Sequence, residues 1–160
     1  MEKKVAKGFM TINTKLFRKA CIYLLLVITF SVGLGCEDNA PPTRIPFVYT
    51  EFTINLNLQE YLPLQYDGGF VYENEGFKGI IIYRESEDKY FAIERACTFA
   101  PNKPCEIVSV DQSSFFLIDT CCGSTFDFHG NPTGSPSDQP LLLYDTYLDN
   151  NFLTITNSNR

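Results

Sequence analysis

Four cysteines fall in one stretch of the chain: Cys97, Cys105, Cys121 and Cys122. They stand in ERACTFAPNKPCEI and DTCCGSTFDFHGNPTGSP, among glycine, serine, proline and aromatic residues. Thiols in such a setting can ligate a metal, exchange with disulfides, or bond to each other and staple the fold. Four thiols are the right type for tetrahedral zinc, whose usual signature is a pair of Cys-x-x-Cys knuckles. Here Cys97 and Cys105 are widely separated and Cys121 and Cys122 are adjacent, which suits a knuckle poorly. Exchange chemistry prefers a thiol near basic groups or at a helix N-terminus. This loop carries Asp119 and Asp127 instead, and their charges oppose a thiolate. The residue types favour a structural use of the sulfurs.

Other reactive residues are sparse. His129 is the single histidine, set between Phe128 and Gly130 with Asp127 as its near carboxylate. It reads as a turn histidine satisfied by backbone or solvent. Asp119 reads as a cap for the loop amides that follow it rather than as a ligand. No Ser-His-Asp set, phosphate-cradling glycine loop or paired-carboxylate site is visible, which argues against an enzyme.

The elements that must position these residues begin well downstream of the N-terminus. Lys15, Arg18 and Lys19 precede an apolar run, Ala20 to Val32, that is short for a bilayer span and suits a secretory signal. The run ends in VGLGC. Residues 1–35 resemble a bacterial lipoprotein signal, in which cleavage before the cysteine leaves Cys36 as the lipid attachment point. Residues 36–46, with NAPPTRIP, read as a lipid-attached tether. Residues 47–160 then form one domain. Beyond residue 35 the chain holds 7 basic and 18 acidic residues, a balance of −11. That excludes a basic stripe for nucleic acid or anionic lipid, so the membrane is expected as a partner through the lipid alone.

Within the domain the pattern has period two. In FTINLNL, Phe52, Ile54, Leu56 and Leu58 alternate with polar residues, as in a strand with one buried face. Further strands are expected at FVY, GIIIYR, YFAIER, EIVSV, SSFFLID, STFDF, LLLYDTYL and FLTIT, with ESEDK as a hairpin turn. No window carries a helical period. Turn signals recur at the spacing of an all-β barrel or sandwich. Between Arg95 and Pro140 the texture becomes loop-rich, and all four domain cysteines lie there.

That segment resembles a Rieske domain, the fold whose [2Fe–2S] cluster is held by two cysteines and two histidines. In the family one loop carries Cys-x-His, a later loop carries Cys-x-x-His-Gly-Ser, and a disulfide joins the loops. Gly123-Ser124-Thr125-Phe126-Asp127 fits the second pattern, followed by Gly130, Gly134, Pro136 and Pro140-Leu141. GIIIYR…YFAIERAC resembles the family's approach to its first loop. The resemblance implies a Rieske-like β barrel or sandwich with a cysteine-containing loop subdomain at about 96–140. It also implies a Cys105–Cys121 disulfide.

For iron the pattern departs. The resemblance puts the four ligand positions at Cys97, Phe99, Asp119 and Cys122. Phe99 cannot coordinate, and a chain with one histidine cannot supply two imidazoles. With no cluster between the tips, Cys97 and Cys122 are expected to bond to each other. A vicinal Cys121–Cys122 bridge is the strained alternative. Ser124 and Tyr144 match positions that set the cluster's environment in relatives, and without iron they become packing and hydrogen-bonding residues. The expectation is a lipid-anchored cell-envelope protein, stapled by disulfides, without a cofactor or metal, acting as a binding or accessory module for an envelope partner. The alternative is an electron-transfer protein whose [2Fe–2S] cluster has altered ligands.

Overall fold

Ile80, Ile81 and Ile82 are all fully buried, which consecutive strand residues achieve only when both faces of the strand are covered. The computed structural model describes residues 44–158 and shows what covers them. The expected signal segment, Cys36 and the tether up to residue 43 lie outside the described residues.

Six strands form one antiparallel sheet: β1 (Glu51–Asn55), β2 (Phe70–Glu73), β3 (Ile80–Ser86), β4 (Lys89–Glu94), β9 (Leu143–Asp149) and β10 (Phe152–Thr156). Their spatial order is β1-β10-β9-β4-β3-β2. Four short strands form a second antiparallel sheet, β5 (Val108–Val110), β6 (Leu117–Asp119), β7 (Thr125–Phe126) and β8 (Pro132–Gly134), in sequential order. The protein is all-β.

The β3–β4 hairpin is the wall between two cores. Period two sends Ile80 and Ile82 into a cluster with Ile54, Leu64, Leu153 and Ile155. It sends Ile81 the other way, into a cluster with Ile93, Cys97, Val108, Leu117 and Phe126. Each fully buried isoleucine contributes roughly 2 kcal/mol of apolar burial. The hairpin turn falls at Glu87-Asp88, where ESEDK placed it.

Two elements differ from the sequence reading. β1 stops at Asn55, and Leu58 is half exposed at the start of a 3₁₀ helix, Gln59–Gln65, that contains Pro63. This short helix buries only Leu64, which leaves no readable period. β8 begins at Pro132, a residue that suits the first position of an edge strand because it lacks an N–H donor.

The small sheet hangs from the end of β4. The Val108 amide donates to the Arg95 carbonyl at 2.7 Å, and Ala96 bridges to Ile107. These bonds lay the residues after β4 directly beside those before β5. Cys97 and Glu106 are brought together in this way, and the Cys97 amide donates to the Glu106 carbonyl at 3.4 Å.

Candidate functional site

Cys105 and Cys121 form a disulfide, with Cα atoms 5.7 Å apart and a sequence separation of 16. It ties the loop ahead of β5 to the tight turn between β6 and β7. In that turn Gly123 has φ +84° and its amide donates to the Asp119 carbonyl at 2.8 Å. The Asp119 carboxylate caps the same turn, Oδ1 accepting from the Cys121 amide at 2.8 Å. The cap expected of Asp119 is therefore formed.

Cys121 engages Cys105, and its neighbour Cys122 engages Cys97. The bond expected between Cys97 and Cys122 is absent here: both are thiols, with sulfurs 3.7 Å apart. A disulfide needs about 2.05 Å. The Cys122 thiol instead donates to Ser124 Oγ at 3.1 Å, and Ser124 Oγ also accepts from the Ser137 amide at 2.9 Å. Burial pushes the Cys97 thiol well above its ordinary pKa. The Phe99 amide pulls it down, while the adjoining Cys122 and Asp119 push it further up.

Two carboxylates share the space with these sulfurs. One donor atom each from Cys97, Glu106, Asp119 and Cys122 all lie within 4.8 Å of one another. Asp119 is fully buried and Glu106 is 1% exposed. Glu106 Oε2 and Asp119 Oδ2 have no hydrogen-bond partner among the described residues. Lys103 Nζ is 3.9 Å from Glu106 Oε1, from a largely exposed position. Glu106 was not singled out in the sequence. The available signal was its parity: period two along EIVSV puts it on the same face as the buried Val108.

The other singled-out residues lie elsewhere. Phe99 is 41% exposed, with Lys103 Nζ 5.8 Å from its ring centroid, and only its backbone amide, not its ring, bears on the donor cluster. His129 Nε2 pairs with Glu85 Oε1 at 2.7 Å, a partner brought by β3, while Asp127 Oδ2 is 3.9 Å from Nδ1. Tyr144 reaches Glu94. Glu94 is fully buried and accepts four hydrogen bonds: from the amides of Phe77 and Lys78 at 2.8 Å each, from the Ala96 amide at 3.1 Å, and from Tyr144 Oη at 2.7 Å. Gly76 passes so close that a Cβ there would lie 2.7 Å from Glu94 Oε2, at a φ of +81°. Glu94 thus fixes the course of residues 76–78 and 96 against the end of β4.

Asp127 holds the turn after β7. Its Oδ1 accepts from the amides of His129 at 2.9 Å and Asn131 at 2.8 Å, and its Oδ2 from Asn131 Nδ2 at 2.9 Å. Partial burial pushes this carboxyl up, but the Asn131 and His129 donors outweigh it and hold its pKa below the usual value. A depressed pKa means that the folded state prefers the ionised form. The resulting stabilisation is present above the unfolded pKa of about 3.9 and lost as pH falls through the lower folded value. Asp127→Asn is expected to cost less than about 1 kcal/mol at neutral pH, because solvent screens this half-exposed group. It should also flatten the loss of stability in acid, read from urea unfolding at a series of pH values. Equal acid sensitivity in variant and parent would contradict this account.

A groove of about 1190 Å³ opens at the loop that follows Cys97, lined among others by Phe99, Lys103, His129, Pro136, Gln139 and Leu142. Its walls are the loop carrying Cys97 and the segment that leads into β9.

The donor set does not fit the two-cysteine, two-histidine cluster that the sequence resemblance implies. Two irons joined by bridging sulfides need donors at two ends, with imidazoles on one of them. Here two sulfurs and two carboxylates form a single cluster within 4.8 Å, and the chain's single imidazole is engaged by Glu85. A scan against protein-family models and a search of curated proteins found no match to the chain.

Proposed function

We propose that the protein is a lipid-anchored module of the bacterial cell envelope, with a Rieske-like domain whose loop tips no longer carry a [2Fe–2S] cluster. It serves as a binding or accessory component rather than an enzyme. The observation that carries this reading is the closure of the two tips onto each other. Cys97 and Cys122, which the resemblance aligns with cluster ligands, stand 3.7 Å apart and share their space with two buried carboxylates. The Cys105–Cys121 disulfide joins the same two loops, as the resemblance implies. The groove beside the tips is the concave surface on which a partner from the envelope would seat.

Two measurements on the full chain, expressed in a bacterium with lipoprotein processing and purified in detergent without oxygen, test the reading. The protein should be colourless and give no paramagnetic signal on reduction. Labelled fatty acid should be incorporated, and Cys36→Ala should abolish the label and release the chain from the membrane fraction. Reddish-brown material with a reduced-state paramagnetic signal would overturn the loss of the cluster. An unlabelled chain would overturn the anchor.

A further inference from the structure

We infer that Cys97, Cys122, Asp119 and Glu106 form a site for one divalent cation of the zinc class, which clamps the two loop tips together. This rests on the proposed reading only in taking the tips to hold no iron–sulfur cluster.

The sulfur spacing matches that of two ligands on one ion. A zinc–sulfur bond of about 2.3 Å and a tetrahedral angle put two sulfurs on one ion about 3.8 Å apart. Cys97 and Cys122 are 3.7 Å apart. The carboxylate donors lie within the same 4.8 Å envelope, so side-chain shifts of about 1 Å bring all four to the spacing of a tetrahedral set. Four protein donors would complete a tetrahedron and leave no open position, which is the form of a structural site rather than a catalytic one.

Burial points to the same site independently of spacing. Glu106 Oε2 and Asp119 Oδ2 are buried with no hydrogen-bond partner among the described residues, and the Cys97 thiol that faces the Asp119 carboxylate gives up its proton when an ion binds. A buried carboxylate oxygen in that state is costly unless a cation or proton meets it. Lys103 meets only the other oxygen of Glu106, at 3.9 Å and from an exposed position. A divalent ion among the four donors removes the deficit at both acids at once. Two thiolates select against magnesium and calcium, and mixed sulfur and carboxylate donors suit a borderline ion.

The surrounding groups orient the donors. The Cys121 amide holds Asp119 Oδ1 at 2.8 Å, and the Phe99 amide points at the Cys97 sulfur. Ser124 Oγ accepts from the Ser137 amide at 2.9 Å, so its own proton can turn to the Cys122 sulfur 3.1 Å away once that sulfur is a thiolate. The two thiol protons leave to solvent as the ion binds.

The test uses the full chain in detergent, reduced only enough to spare the Cys105–Cys121 bond, stripped with chelator and titrated with Co²⁺. One equivalent should produce tetrahedral ligand-field bands in the visible and a sulfur-to-cobalt band in the near ultraviolet, and Zn²⁺ should displace both. Cys122→Ser, Glu106→Gln and Asp119→Asn should each weaken Co²⁺ binding on the order of 100-fold. Asp119→Asn retains the oxygen that caps the turn, so its circular dichroism should match the parent and separate ligand loss from misfolding. Glu85→Gln should leave binding unchanged. The inference is overturned if no bands appear, if both carboxylate variants bind like the parent, or if the chain isolated without reductant carries a Cys97–Cys122 disulfide. Colourless protein that binds no cobalt sinks this inference alone, whereas brown protein with an iron signal sinks the proposed function as well.

Discussion

Replacing Glu94 by alanine should destabilise the domain by about 4 kcal/mol, the largest single-residue effect expected in the chain. Four donors converge on this buried carboxylate: three backbone amides and Tyr144 Oη. Each buried donor left without an acceptor costs on the order of 1–3 kcal/mol, and water can reach only some of them. Glu94→Gln keeps the shape and one good acceptor, so it should cost about half as much. Urea unfolding of the two variants beside the parent measures both. Because whole domains are stable by only 5–15 kcal/mol, the alanine variant will be near the limit of folding and the glutamine variant keeps the comparison readable. A loss below about 1 kcal/mol for alanine would mean that the amides of residues 77, 78 and 96 find other acceptors.

The second large effect belongs to the Cys105–Cys121 bond. A covalent link spanning 16 residues restricts the unfolded chain enough to stabilise the fold by about 3 kcal/mol. The double variant Cys105→Ala/Cys121→Ala should lose that amount in urea unfolding. It should also bind Co²⁺ more weakly than the parent, because Cys121 anchors the turn that carries both Asp119 and Cys122. The double variant is preferable to either single change. A lone Cys121 would stand next to Cys122 and invite a non-native bridge. Unchanged stability would place the stabilisation of these loops elsewhere.

The legible parts of the sequence were those where one local rule acts alone. The Ile80–Ile82 run, the ESEDK turn and the alternation in FLTIT each announce their strand, because period and turn chemistry are local properties. The pairing of Cys105 with Cys121 followed from the family resemblance and not from spacing. What stayed hidden was set by long-range contact. His129 finds Glu85, 44 positions away, and no pattern within its own loop points there. Glu106 meets Cys97, Asp119 and Cys122 only because the residues on either side of the 98–105 loop lie side by side. The same contact changes the meaning of Asp119, which is both a turn cap and a member of a donor cluster. The expected Cys97–Cys122 bond took account of the two sulfurs without the carboxylates that share their space.

Native mass spectrometry of the intact full chain, released from detergent without reductant or chelator, measures the contents of the donor cluster most directly. The account predicts a mass increased by one divalent cation with Cys97 and Cys122 as ligands, and no such increase in Cys122→Ser. A parent chain lighter by the two hydrogens of a second disulfide, or heavier by two irons and two sulfides, would contradict it.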